Sequence, residues 1–480
     1  MGPRPSRLAV AAALVSLATG CVESRPGAFV ASSTPPAPEQ RSATSMPTPL
    51  PQAAPVLPPG LPAMGGLPKT ITPVEAVDLA LRNNPATQQA WYRARSAAAN
   101  VGSQLAAFYP ALEVDGQITR QKQFIFSTGA SLLTTTYAPS ASLNWLLFDF
   151  GGRVADVAEA RAVLAAANSS HDATLNDVIL QVLQAYYLYE GAKSLLAAQE
   201  ASLKQAQANL GAAEERHRAG VATIADVLQA RTTASQQQLA VDSVRGQIAV
   251  IRGALATSLG VPANTPVEAG ELPEKLDLER VTKTVDELIA AAEKQRPDLA
   301  AARYSVLAAQ NRVKSLRSAL LPTLEGTATT SWTYYGAGAS VPYVQPYFLG
   351  LLLRIPVFTG FQKQYDLLRA RQDEKAAEAA AAGVEQQVVQ QVWSSYYSVQ
   401  TAAQKIRTTR DLLASARQSA DVTRGRYTAG VGNILDLLTA ESALASARAQ
   451  DVQARAEFLF SLAQLAHDVG SIEPAVKEAP

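Results

Sequence analysis

Arg216-His217-Arg218-Ala219-Gly220-Val221-Ala222-Thr223-Ile224-Ala225-Asp226-Val227-Leu228-Gln229-Ala230 returns 210 residues later as Arg426-Tyr427-Thr428-Ala429-Gly430-Val431-Gly432-Asn433-Ile434-Leu435-Asp436-Leu437-Leu438-Thr439-Ala440, with 8 identities in 15 positions. A shared alanine bias produces one or two such matches, not eight in register. Phe148 and Phe358, Tyr186-Tyr187 and Tyr396-Tyr397, and Gly260 and Gly470 keep the same offset. Pro85 with Pro297 and Pro110 with Pro322 follow at an offset of 212. The chain reads as two copies of one ~210-residue unit.

Each copy has the same internal order. A short helix (73–83 or 284–295) precedes a proline-initiated one (85–108 or 297–320). Extended runs follow, at about 111–126 and 136–150, and at about 323–335 and 343–358. In the first, Leu112, Val114, Gly116 and Ile118 alternate with Glu113, Asp115, Gln117 and Thr119. Leu143, Trp145 and Leu147 continue the pattern in the second. In the other copy Leu324, Gly326 and Ala328 alternate with Glu325, Thr327 and Thr329, and Leu349, Leu351 and Leu353 share one face. Period two with one apolar face is the pattern of transmembrane barrel strands. Trp145, Phe148, Phe150, Trp332, Tyr334, Tyr335, Tyr343, Tyr347 and Phe348 cluster near the ends of these runs, as interfacial girdles do.

After each strand pair the punctuation stops. No proline occurs from Gly151 to Val261 or from Val357 to Glu473. Good helix formers dominate both spans, broken only at Ala219-Gly220 and Ala429-Gly430. Two helical hairpins are expected, 151–260 and 360–470, each with one arm of ~65 residues and a returning arm of ~40. At 1.5 Å per residue the long arm measures ~100 Å. Such helices pack as an extended antiparallel coiled coil. The two units span 70–260 and 284–473, joined by a linker at 261–283 and followed by a tail at 474–480.

Hydrophobic residues make up 48% of the 480, charged residues 17%, and the net charge is +1. No run approaches the ~18 apolar residues of a membrane-spanning helix. Near-neutrality argues against binding nucleic acid through bulk charge. One cysteine excludes an intramolecular disulfide framework and a cysteine-cluster metal site. His171, His217, His467 and the paired tyrosines form no acid–base or nucleophilic constellation, so they read as surface residues and helix-packing aromatics and the chain as no enzyme. No phosphate loop is present, and neither cofactor nor metal is expected.

Arg4 and Arg7 precede the apolar run Leu8–Leu17, and Ala18-Thr19-Gly20-Cys21 follows. Residues 1–20 have the form of a secretory signal. Ending on Gly-Cys, it resembles a bacterial lipobox, with Ala18 where leucine is commonest. Cys21 is then the acylated N-terminus, or else incidental to ordinary signal cleavage. Val22 after it favours the outer membrane by the same resemblance. Loss of the signal removes two arginines and no acid, shifting the net charge from +1 to −1. From Thr34 to Pro68 there are 11 prolines in 35 residues. Residues 21–69 are therefore expected to hold the lipid site and an extended tether of roughly 100 Å, at ~3.1 Å per residue, or a tail with no partner.

The repeated unit, with Asn84-Pro85, Tyr109-Pro110, Phe148-Asp149-Phe150-Gly151-Gly152-Arg153 and the duplicated Arg-x-x-Ala-Gly-Val segment, resembles the TolC-like outer-membrane efflux proteins across residues 70–470. The resemblance implies a mixed α+β membrane protein, mainly α. Three chains of four strands each would close one 12-stranded barrel continuing into a helical periplasmic tunnel. It implies a passive exit duct served by a periplasmic adaptor and an inner-membrane pump. A lipidated N-terminus is similar to the subgroup serving resistance-nodulation-division pumps. A type I secretion duct is the alternative within the class, and a structural coiled-coil envelope or adaptor lipoprotein the alternative outside it.

By the same resemblance, Ala219, Gly220, Val221, Ala222 and Thr223, with Ala429, Gly430, Val431, Gly432 and Asn433, are adaptor-contacting tips. Plain helix-turn chemistry accounts for the same glycines. Asp226 and Asp436 match positions of the periplasmic constriction, where three copies make acidic rings. Complementation of a helix dipole accounts for them equally. Thr439 and Gly432 stand where the best-known member of that family has a second acid and an arginine, which implies a latch at the entrance that is weaker or built differently.

Overall fold

The computed structural model describes residues 30, 32–41, 70–126, 129–270, 273, 276–279, 281, 283–335 and 343–471. Cys21, the signal segment 1–20 and the tail 474–480 lie outside the described residues. The first helices are α1 (Pro73–Asn83) and α2 (Pro85–Leu105), the latter ending in a 3₁₀ turn, Ala106–Phe108. Thr72 and Glu75 form a capping box on α1, and Pro73 occupies its first turn. Asn84 caps α2 through its side chain, which accepts from the Ala86 N–H.

Strands β1 (Ala111–Ile125) and β2 (Ala130–Phe148) then make an antiparallel hairpin. Helix α3 (Gly152–Arg218) runs for 67 residues and returns as α4 (Ile224–Ser258). The order recurs in α5 (Val285–Gln295), α6 (Pro297–Ser318), β3 (Thr323–Ser331), β4 (Thr333–Tyr335), β5 (Tyr343–Val344), β6 (Tyr347–Arg354), α7 (Gln362–Thr428) and α8 (Ile434–Val469). None of these helices is long and apolar enough to cross a membrane.

Strand boundaries differ from the sequence expectation where pairing or proline intervenes. β2 starts at Ala130 rather than 136, because its register with β1 continues unbroken to the Ile125–Ala130 pair. The second pair is interrupted: β3 ends at Ser331, and the Trp332 N–H turns to the Pro139 carbonyl. Pro346 separates β5 from β6, and Pro356 follows the end of β6 at Arg354, since proline donates nothing to a ladder. β2 joins the two halves of the sheet, pairing with β1 on one side and with β3 and β4 on the other, while β3 pairs with β6. Among the described residues β1 and β6 each keep an open edge.

The long helices are held by heptad seams. Along α4, Val227, Ala230, Ala234, Gln237, Val241, Val244, Ile248, Ile251 and Leu255 follow alternating steps of three and four. On α8, Leu437, Ala440, Leu444, Ala447, Asp451, Ala454, Phe458, Ser461 and Leu465 do the same, every one buried. The matching seam of α7 includes Val388, Val392, Val399, Ala402, Ile406, Ala416 and Ala420. A 3.5-residue repeat of this kind keeps two helices in contact along their length as a left-handed supercoil. Alanine permits close approach: a Cβ placed on Gly191 of α3 would lie 3.0 Å from Ala456 Cβ of α8.

The described part of the proline-rich segment is docked, where a free tether was expected, and residues 42–69 lie outside the described residues. Residues 32–41 lie against α2 and α3. Trp91 Nε1 donates to Pro35 O (2.7 Å), Asn168 Nδ2 to Ser33 O (3.0 Å), and Arg41 to Asn176 Oδ1 (2.6 Å). His171 Nε2 pairs with Pro38 O at 2.7 Å. Backbone carbonyls left free by proline find fixed side-chain partners on the helices, which periodicity along the sequence does not reveal.

Candidate functional site

The strand register turns four separate alternations into one two-faced sheet. Leu112 stands opposite Leu143, and Leu143 opposite Ala328, which faces Leu349. Val114, Gly116, Ala141, Trp145, Gly326, Leu351, Leu353 and Tyr347 continue this side by the two-residue period. Glu113, Asp115, Gln117, Ser142, Asn144, Glu325 and Thr327 occupy the other. A shift of register between Leu146 and Phe148 brings Phe148 opposite Leu324, onto the apolar side. Val114 is 77% and Leu349 81% exposed in the single chain. An apolar face this continuous is an interaction surface.

The junction between strand and long helix is built twice. Phe150 and Gly151 both take the left-handed conformation (φ 53° and 89°), as do Gly360 and Phe361 (φ 60° and 64°). Both corners need two left-handed residues, and each is built from one glycine and one phenylalanine, in opposite order. Positive φ is costly for a bulky side chain, so the surroundings must hold it. Phe150 packs edge-on to Phe148, and Phe361 to Phe358. Arg153 fastens the first corner, donating to the carbonyls of Leu146, Leu147 and Ala107, pairing with Asp149 at 3.4 Å and lying over Phe108.

At the opposite end the two hairpin turns lie together. Gly220 and Gly430 have φ of 75° and 77° and stop the long helices. Val221 and Val431 are exposed at the turns. Ala213, Val227, Ala230, Tyr427, Ile434, Leu437 and Leu438 form one core cluster joining the tips of both copies. Arg216 crosses between them to Tyr427. The paired aspartates diverge. Asp226 belongs to a capping box: its carboxylate accepts from the Thr223 N–H (2.9 Å), and its own N–H donates to Thr223 Oγ1. Asn433 caps α8 by itself through the Leu435 N–H, leaving the exposed Asp436 carboxylate outside the cap.

Midway along the molecule the shorter helices clamp the long ones. Asn84 Nδ2 donates to Ser258 O, and at the equivalent joint Arg296 Nη1 donates to Asp468 O. Gly260 and Gly470 pass so close to these caps that an added Cβ would lie 2.6 Å from Asn83 C and 3.1 Å from Gln295 C. Tyr186 Oη donates to Ile71 O and accepts from the Gly270 N–H, fixing both linker segments. Beside it, burial pushes the Glu190 carboxyl up from its ordinary value. Two histidines are not surface residues as the sequence suggested. His171 is fully buried under the docked segment, and His467 bridges Asp177 of α3 and Asp468 of α8. Burial would lower its pKa, but those carboxylates outweigh it and raise it to about 9. Only His217 is exposed, bonded to Ala222 O. Asn168, His171 and Asn176 carry no periodic or motif signal, and the motif that ends on Arg153 does not say what that side chain touches, so sequence reading passed over their contacts.

The geometry has known counterparts. The model of the family described as outer membrane efflux protein matches residues 76–261 and again 288–471. Protein CyaE of Bordetella pertussis is 28% identical over 388 residues, covering 79% of this chain and 80% of its own length. Outer membrane efflux protein BepC of Brucella suis is 26% identical over 359 residues, covering 74% and 75%. The outer membrane protein VceC of Vibrio cholerae has the same fold, with a TM-score of 0.73 at 21% identity over 82% of this chain and 95% of that one. A chain whose hairpin-and-strand order recurs, with an apolar sheet face and a double match to one family model, belongs to the outer membrane efflux protein family, and works as an efflux duct in the outer membrane, reaching into the periplasm.

Proposed function

We propose that three copies of this chain assemble into one continuous exit duct, and that its two halves arose by duplication of one unit. The open edges of β1 and β6 support this reading: four strands cannot close a barrel, and unpaired edges are not tolerated in lipid. Three chains would give 12 strands, with the apolar face toward lipid and Glu113, Asp115 and Glu325 toward the lumen. Below them the heptad-packed helices would enclose a periplasmic tunnel. The duct is passive, joined through residues 219–223 and 429–433 to a periplasmic adaptor and an inner-membrane pump of the resistance-nodulation-division type. Cys21 would carry the lipid. The observation that carries the proposal is the single apolar face running across β1, β2, β3 and β6.

The test is assembly and conductance of the full chain. A heat-resistant trimer in the outer-membrane fraction that opens stable pores in a planar bilayer is expected. A soluble periplasmic monomer without conductance would overturn the proposal in favour of a structural coiled-coil lipoprotein.

A further inference from the structure

Charge is sorted between the sheet faces as sharply as hydrophobicity. On β1 the apolar series Leu112, Val114, Gly116 and Ile118 runs on, in the same unbroken register, to Arg120 and Lys122. Both are exposed. Among the described strand residues these two are the only charges on that face. The carboxylates Glu113, Asp115 and Glu325 lie on the opposite one, where Glu325 is 3.7 Å from Arg354. The connections at 127–128 and 336–342 contain no acid. Neither Arg120 nor Lys122 has an ion-pair partner among the described residues.

Their height is equally defined. Ile118 stands opposite Tyr137, and Tyr137 opposite Tyr334, in the part of the sheet remote from the helices; beyond them the same face carries Leu133 opposite Lys122, and then Phe124. Arg120 and Lys122 come two and four residues beyond, ~7 and ~14 Å along the strand. With the strand tilt of a barrel they rise ~5 and ~10 Å above the tyrosines, the depth of a headgroup layer. The helices extend into the periplasm, so this layer belongs to the outer leaflet.

We propose that Arg120 and Lys122 form a binding site for the phosphate groups of the outer leaflet's phosphorylated saccharolipid, lipid A. The site rests on the barrel reading given above. A guanidinium suits bidentate contact with phosphate, and the ammonium two residues on supplies a second, mobile charge. Their stems lie along the lipid face while the charges reach the headgroups. A cationic pair with no internal partner and no competing acid on its face is complementary to fixed anionic lipid.

The experiment is native mass spectrometry of the purified full-length assembly, titrated separately with bisphosphorylated lipid A, its dephosphorylated form and phosphatidylglycerol. Wild type is expected to retain bisphosphorylated lipid A in preference to the other two. The Arg120→Gln/Lys122→Gln double variant should retain it ~25-fold less, with each basic side chain contributing about fivefold. Arg120→Lys keeps the charge but loses the bidentate fork, so its retention should fall between that of the wild type and that of Arg120→Gln. If the double variant fails to assemble, Lys122→Gln alone should show a roughly fivefold loss. Equal retention by wild type and the glutamine variants would overturn the site, as would equal retention of dephosphorylated lipid A or phosphatidylglycerol. Failure of the wild type itself to trimerise would instead refute the barrel reading.

Discussion

Arg216, at the end of α3, donates from Nη1 to the carbonyl oxygen of Tyr427 at the end of α7, 2.6 Å away, and its guanidinium lies 4.6 Å from the centre of that residue's ring. One side chain thus ties the tip of the first hairpin to the tip of the second. The Tyr427 hydroxyl is buried and has no hydrogen-bond partner among the described residues. Arg216→Ala is expected to loosen the tips by about 1–3 kcal/mol, seen as faster amide exchange in residues 213–230 and a larger single-channel conductance. Tyr427→Phe keeps the ring and the carbonyl and removes an unpaired group, so stability should be equal or higher. A Tyr427→Phe variant as loose as Arg216→Ala would contradict this division of labour.

Asp226 and Asp436 occupy equivalent places with different duties. Asp226→Ala breaks a capping box and should cost about 1 kcal/mol in thermal or chemical unfolding. Asp436→Ala leaves the Asn433 cap intact, so stability should stay within about 0.5 kcal/mol. Its expected effect is on conduction: a higher conductance or relief of block by divalent cations. Unchanged bilayer recordings for Asp436→Ala would count against a role in the periplasmic constriction.

The glycines divide by what surrounds them. At Gly260 an alanine meets both a left-handed backbone (φ 76°) and the Asn83 backbone 2.6 Å away, which cannot yield like a flexible side chain. Gly260→Ala is expected to destabilise by more than about 2 kcal/mol and to lower the yield of assembled protein. Gly220 has nearly the same φ of 75° but open space around it. Gly220→Ala should therefore cost only the conformational strain, about 1 kcal/mol. Melting temperatures of the two variants, compared side by side, check the contrast.

The His467 bridge sets a pH dependence. Its folded pKa is about 9 against an ordinary 6.5, so its stabilisation is fully present below pH 6.5 and disappears as pH rises through 9. Asp177 is 71% exposed and screened by solvent, which limits the effect to the order of 1 kcal/mol. The wild-type melting temperature should fall between pH 6.5 and 9 by a component that His467→Gln lacks. Parallel pH profiles for the two proteins would remove the bridge from the account of stability.

Most of the architecture was legible in the chain itself. Periods of two and of three to four are local properties, imposed residue by residue on strands and helices. Proline and glycine mark where each must stop. The repeat supplied the rest, because two copies of one turn sequence, Arg216–Ala230 and Arg426–Ala440, place both tips without any knowledge of packing.

What only the tertiary structure decided are relations between distant residues. The sequence offered Asp226 and Asp436 as a matched pair, but capping geometry separated them. It treated three histidines alike, whereas docking buried His171, joined His467 to α3 and left His217 exposed. The proline-rich segment read as a tether, and the positions of Trp91, Asn168, His171 and Asn176 turned part of it into a docked strap. The physical reason is common to all these cases. A hydrogen bond or an ion pair depends on where two groups meet in space, and no periodicity within one helix records what its neighbour will present.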